Sequence, residues 1–120
     1  MELKDVIKLL KRNKAVTDII QFGSSLTSPS PRDIDLCIVT TKKLTLKQKL
    51  QFQRNLPEQF DINFYENLPL NLKKEVLTTG KILFTQDYYA LLKELMFVND
   101  EFVRYHRFLE DYHQQRMASL

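Results

Sequence analysis

Two β-branched runs with no helical pattern between them constrain this chain most. Val16–Phe22 (VTDIIQF) and Ile34–Thr40 (IDLCIVT) both have the composition of strands. The segment joining them, Ser24 to Arg32, is rich in Ser and Pro and reads as a loop with at most one helical turn at its start. With no long crossover helix available, the two strands are expected to pair directly and antiparallel.

The remaining elements alternate around this pair. Leu3, Val6, Ile7 and Leu10 recur at helical spacing and mark an amphipathic first helix. Leu46–Leu56 reads as a surface helix, Phe60–Tyr65 (FDINFY) as a third strand, and Leu70–Thr79 as a helix stopped by Gly80. Lys81–Thr85 (KILFT) is a short fourth strand, and Asp87 is placed to cap a helix beginning at Tyr88. From Tyr88 to about Met117 there is neither Pro nor Gly, so one long helix is expected, or two with a break near Asn99 and Asp100. The alternation predicts an α/β chain, a central mixed sheet flanked by helices.

At 120 residues, a single domain is expected, with a core over 1–86 and a helical segment over 87–120. Cys37 is the one cysteine and lies in an apolar run, which excludes an intrachain disulfide framework and fits a reducing compartment. The N-terminus mixes charged with apolar residues and does not read as a signal peptide. No apolar run is long enough to span a membrane, so a cytoplasmic protein is expected. The net charge of +3 is spread along the chain. It fits a solvated surface, and taken alone it is the only support for a nucleic-acid partner.

The chemistry concentrates between Phe22 and Leu36, with one residue further on. Gly23-Ser24 directly follows a strand. Glycine there allows a sharp turn and a close backbone approach to a ligand, and the Ser24 hydroxyl adds a donor for a phosphate. Asp33 and Asp35 open the next strand two residues apart, so both carboxylates project to one face. Paired carboxylates repel unless a cation lies between them, and hard oxygen ligands suit Mg²⁺. Asp61 sits in a strand between apolar Phe60 and Ile62, where Asp is disfavoured. It either faces water at a sheet edge or completes a three-carboxylate site. Singly these features are common, since Gly-Ser also ends ordinary strands and Asp-x-Asp also closes ordinary turns.

Together they are specific. A strand ending in Gly23-Ser24, a loop, Asp33-x-Asp35 and Asp61 on a later strand resembles the nucleotidyltransferase superfamily related to DNA polymerase β, and in particular its minimal nucleotidyltransferases. The resemblance spans essentially the whole chain, including the helix–glycine–strand segment Lys74–Phe84. It implies the polymerase β-like fold and a metal-dependent enzyme that moves a nucleoside monophosphate, as from ATP, to an acceptor hydroxyl. Gly23 and Ser24 would bind the triphosphate; Asp33 and Asp35 would hold two Mg²⁺ ions, and Asp61 would bind the metal that activates the acceptor. One departure is a loop between Ser24 and Asp33 that is short for the family and carries Pro29 and Pro31.

The last stretch, Arg104 to Arg116, mixes aromatic and basic residues. It reads as a helix packed on the sheet with a charged outer face, the alternative being an exposed aromatic stripe awaiting a partner. His106 and His113 are seven residues apart, roughly 10 Å along a helix axis, which excludes a shared metal ion. The resemblance implies a small helical HEPN protein as partner, in an antitoxin–toxin pair where AMP is added to a toxin tyrosine. A catalytically silent antitoxin acting by contact alone is the rival reading.

Overall fold

The computed structural model describes residues 1–27 and 33–118; Pro29 and Pro31, singled out above, lie outside the described residues. Its elements are α1 (Leu3–Lys11), β1 (Val16–Phe22), a 3-10 turn (Gly23–Leu26), β2 (Ile34–Thr40), α2 (Leu46–Arg54), β3 (Phe60–Phe64), a second 3-10 turn (Tyr65–Asn67), α3 (Leu70–Thr79), β4 (Lys81–Thr85) and α4 (Tyr88–Ala118). Local chemistry sets most boundaries. Thr45 and Gln48 cap α2 reciprocally, the Thr45 hydroxyl accepting from the Gln48 amide and the Gln48 side chain accepting from the Thr45 amide. Asp87 opens α4 by accepting from the amides of Tyr89 and Ala90.

The four strands form one sheet in the order β3-β2-β1-β4. β1 pairs antiparallel with both β2 and β4, while β2 and β3 run parallel. The direct antiparallel pairing of β1 with β2 and the mixed sheet are both as the sequence predicts. α2 supplies the crossover that the parallel β2–β3 pair requires.

Alternation along the strands sends apolar side chains to both faces. On one face, Val6 and Leu10 of α1 pack with Ile19, Leu36, Ile38 and Phe60. On the other, Ile20 and Cys37 pack with Val76 of α3 and with Leu91 and Val98 of α4. Cys37 is fully buried, and burial together with the nearby Asp18 pushes its thiol up to about 12. This is the inert thiol expected of its apolar run.

Gly80 ends α3 for a reason other than the usual left-handed cap. Its φ is −69°, which any residue adopts. A Cβ there would stand 2.3 Å from the Val76 carbonyl oxygen and 2.5 Å from Ile20. The glycine lets the end of α3 press directly against β1.

α4 is one unbroken helix, without the break considered near Asn99. Its first half packs on α3 and the sheet. From Val103 to Met117 every residue is exposed, including Tyr105, Phe108 and Tyr112. The radius of gyration, 17.1 Å, well exceeds the ~13.6 Å of a compact chain of this length. The outer half of α4 therefore projects from the body. The expectation of a helix packed along the sheet fails there, because the sheet is too short to cover 31 helical residues. The exposed aromatic stripe is what the structure has. No described helix is long and apolar enough to cross a membrane.

Candidate active site

The site lies where β1 ends and β2 and β3 begin. Gly23 follows β1 with φ +80°, a left-handed conformation that favours glycine. A Cβ added to it would fall 2.6 Å from Asp35 Oδ2, so the backbone touches the carboxylate only because no side chain intervenes. The turn is fixed from below. Gln21 Nε2 donates to Ser25 Oγ at 3.1 Å, and Ser25 donates to the Phe22 carbonyl at 3.3 Å. Both side chains are buried. Sequence reasoning passed over this pair, although an amide inside the apolar run of β1, two residues before Gly23, was the available signal. Ser24 stands next in the turn, exposed.

Asp35 and Asp61 are direct register partners on the parallel strands β2 and β3. Their side chains share a face. Asp33 stands one residue before β2 rather than in it, and is exposed. It still acts on Asp35. The Asp35 carboxyl is held above the ordinary carboxylate value of 3.8, first by desolvation, then by the charge and hydrogen bond of Asp61, then by the charge of Asp33. The structure thus brings together Gly23, Asp33, Asp35 and Asp61, with Ser24 in the adjoining turn.

Asp35 carries its charge at a cost because it is partly desolvated and other acids lie near it. Such a group has a use for a cation. Among the described residues no three His, Cys, Asp or Glu side chains converge tightly enough to hold an ion as placed. The fit therefore rests on the in-register Asp35–Asp61 pair with Asp33 beside it. Hard carboxylate oxygens open to solvent and to substrate phosphates are the donor set that Mg²⁺ accepts.

The sequence model of the family described as "Polymerase beta, Nucleotidyltransferase" matches residues 4–89. The chain belongs to this family. No curated protein matches it in sequence. Several solved structures of like fold are toxin–antitoxin structures. A chain of a toxin–antitoxin structure with AMP-PNP shares 18% identity at a TM-score of 0.79, over 98% of this chain and 99% of that one. A chain of the tri-AMPylated Shewanella oneidensis HEPN toxin in complex with MNT antitoxin shares 20% identity at a TM-score of 0.70, over 92% of this chain and 94% of that one. A chain of a further MntA–HepT complex aligns at a TM-score of 0.62 and 18% identity. At these identities the likeness is one of fold. The nucleotidyltransferase match contains all five candidate site residues and ends at the first turn of α4. The structural alignments, reaching 98% of the chain, run along α4 as well.

Proposed function

We propose that this nucleotidyltransferase transfers AMP from ATP to an acceptor hydroxyl with the help of two Mg²⁺ ions, and that it serves as the antitoxin of a HEPN protein, modifying a tyrosine of that toxin. The in-register pair of Asp35 and Asp61, with Asp33 beside it and Gly23 against it, carries the reading. The solved relatives supply the rest: one complex holds AMP-PNP, and another holds an AMPylated HEPN toxin.

In this reading Asp33 and Asp35 would hold the two metal ions, and Asp61 would complete the site on the acceptor side. The ions, when bound, neutralise the triphosphate and lower the pKa of the acceptor hydroxyl. The Gly23 backbone and the Ser24 amide and hydroxyl seat the phosphates, since no side chain at Gly23 stands in the way. Asp61 accepts the proton of the acceptor hydroxyl. The hydroxyl oxygen bonds to the α-phosphorus, the α–β bridging bond breaks, and pyrophosphate leaves. Positioning and charge neutralisation supply most of the rate. The reaction belongs in the cytoplasm, where ATP and Mg²⁺ are plentiful.

Label transfer tests it. The protein is incubated with Mg²⁺, a HEPN protein of the same organism and ATP labelled at the α- or the γ-phosphate, beside a chain with Asp33→Asn and Asp35→Asn. Label should move to the HEPN protein only from the α-position and only with the aspartates intact. Label moving from the γ-position would sink the mechanism in favour of a kinase-like reaction. The rival reading, a silent antitoxin working by contact, draws on the exposed outer half of α4. Toxin neutralised equally well by the double Asn variant would establish it.

A further inference from the structure

The fold gathers charge that the sequence spreads out. α1, α2 and their adjoining turns, residues 1–14 and 41–59, carry ten Lys and Arg against three Asp and Glu. Residues 66–118, which supply α3, β4 and α4, carry seven against eight. α1 and α2 pack on one face of the sheet and α3 and α4 on the other, so one face of the molecule is strongly basic and the other balanced.

The excess peaks at the end away from the active site. The Thr41 amide donates to the Ala15 carbonyl at 2.8 Å, which brings the α1–β1 junction against the β2–α2 junction. Arg12 and Lys14 stand on the first, Lys42 and Lys43 on the second, and Lys47 in the first turn of α2; all five are exposed. Neither junction contains an acid, and among the described residues no ion pair engages any of the five. The acids of this end are turned elsewhere. Glu66 pairs with Lys49 at 2.8 Å, Glu94 accepts from the Tyr65 hydroxyl, Asp87 caps α4, and Asp18 accepts from two threonine hydroxyls. Beside the cluster a groove of about 330 Å³ runs between α1 and α2, where Arg12, Asn13, Gln48, Gln51 and Asn55 stand around Phe52. Asn13 and Gln48 use their side-chain oxygens to accept from the amides of Ala15 and Thr45, which leaves their NH2 groups as donors.

We infer that this end of the α1–α2 face binds the phosphodiester backbone of a nucleic acid, the five cations meeting phosphates and the groove amides meeting sugar and base edges. Five clustered cations with no acid among them suit a polyanion. Gln51 and Asn55 can both donate and accept, as sugars and bases require, whereas the carboxylates of an acidic peptide only accept. A second copy offers no match, because its other face is balanced and its grouped acids, Asp33, Asp35 and Asp61, are the active site. A bilayer would call for apolar side chains among the cations, but the exposed Leu46 and Leu50 lie on the side of α2 away from α1. β1 holds the cluster about 20 Å from Gly23, so the contact anchors the protein and takes no part in transfer. It stands whether or not the partner is a HEPN toxin.

Salt dependence tests it. Binding of labelled single-stranded RNA and labelled duplex DNA, each roughly 20 nucleotides long, is followed by anisotropy as salt rises. The parent is compared with Arg12→Gln/Lys14→Gln, with Lys42→Gln/Lys43→Gln and with a Lys93→Gln/Arg107→Gln control, which removes equal charge from α4. Five phosphate contacts predict that log K falls against log salt with a slope of about −4.5 on duplex or about −3.5 on a single strand. Each cluster variant should lose affinity about 10-fold or more near 0.1 M salt and flatten the slope by about 2. Melting temperatures, alone and with Mg²⁺ and ATP, should not move. The control should keep the slope of the parent, and the probe held more tightly names the nucleic acid. An equal loss in the control would overturn the inference, since overall charge would then explain the binding. A parent that binds neither probe at low salt would overturn it too, and binding to phosphatidylserine vesicles in their place would assign the cluster to a membrane.

Discussion

Asp18 and Asp35 sit at opposite ends of the same face of the β1–β2 pair, and the chain treats them in opposite ways. Asp18 is 6% exposed and has a hydroxyl facing each oxygen: Thr85 donates to Oδ1 at 2.6 Å, and Thr17, shared with the Val39 carbonyl, donates to Oδ2 at 2.8 Å. Asp35 is half-buried and faces Asp61 and Asp33; desolvation first, and then these acids, drive its carboxyl upward. One acid is buried because its partners are built in. The other is kept in want of a partner, and that want is what a cation and a triphosphate can answer. Burial alone does not mark a reactive carboxylate; burial among acids rather than donors does.

The comparison breaks most readily at Asp35. Asp35→Asn is expected to lower AMP transfer about 1000-fold, the upper range for losing one preorganised electrostatic contact, without lowering the melting temperature. Asp18→Ala should do the reverse. It strands the Thr85 hydroxyl, leaves Thr17 with the Val39 carbonyl alone and opens a void, costing about 2–3 kcal/mol in denaturant unfolding, with transfer per folded molecule unchanged. Transfer lost in Asp18→Ala would show that the two ends of the sheet face are not separable.

Gly23→Ala comes next. The left-handed backbone and the Cβ at 2.6 Å from Asp35 Oδ2 predict a loss of about 1–3 kcal/mol, with transfer falling because Asp35 is pushed from its place. Thr85→Val keeps the shape of β4 and removes one of the two donors to Asp18, for about 1 kcal/mol by chemical melts.

The smallest effect concerns pH. The folded carboxyl of Asp35 titrates above the ordinary value of 3.8, so its proton stabilises the native state at low pH and that contribution is lost as pH rises through the folded value. The parent and Asp35→Asn should therefore melt together near about pH 3 and separate toward neutrality, the Asn variant melting higher. Mg²⁺ should close the gap by raising the parent. A gap that stays constant with pH would place its cause outside Asp35.

The fold was legible because each element carries its own local signal. β-branched runs bounded by Gly and Pro mark β1 and β2, Asp87 announces α4, and the missing crossover helix dictates antiparallel pairing. The carboxylate constellation was legible for a related reason. Strand geometry puts Asp35 and Asp61 on one face as soon as β2 and β3 lie side by side in register. Other features depend on neighbours distant in sequence. Nothing near Asp18 says that Thr85 will reach it, and Gly80 looked like an ordinary helix stop until Ile20 was placed against it. The outer half of α4 obeys the same rule: its periodicity was plain, but whether anything covers it depends on the length of the sheet beneath.

The 67-residue span from Asp18 to Thr85 has a consequence during synthesis. A chain is made from its N-terminus at about 5–20 residues per second. β1 and β2 can pair as soon as residue 40 is free of the ribosome, yet Asp18 then has only the Thr17 hydroxyl, and the outer edge of β1 stays open. Several seconds pass before β4 arrives to close that edge and deliver the second hydroxyl. Over that interval a carboxylate exposed at a bare strand edge does what charged side chains do at the edges of finished sheets: it keeps other strands away.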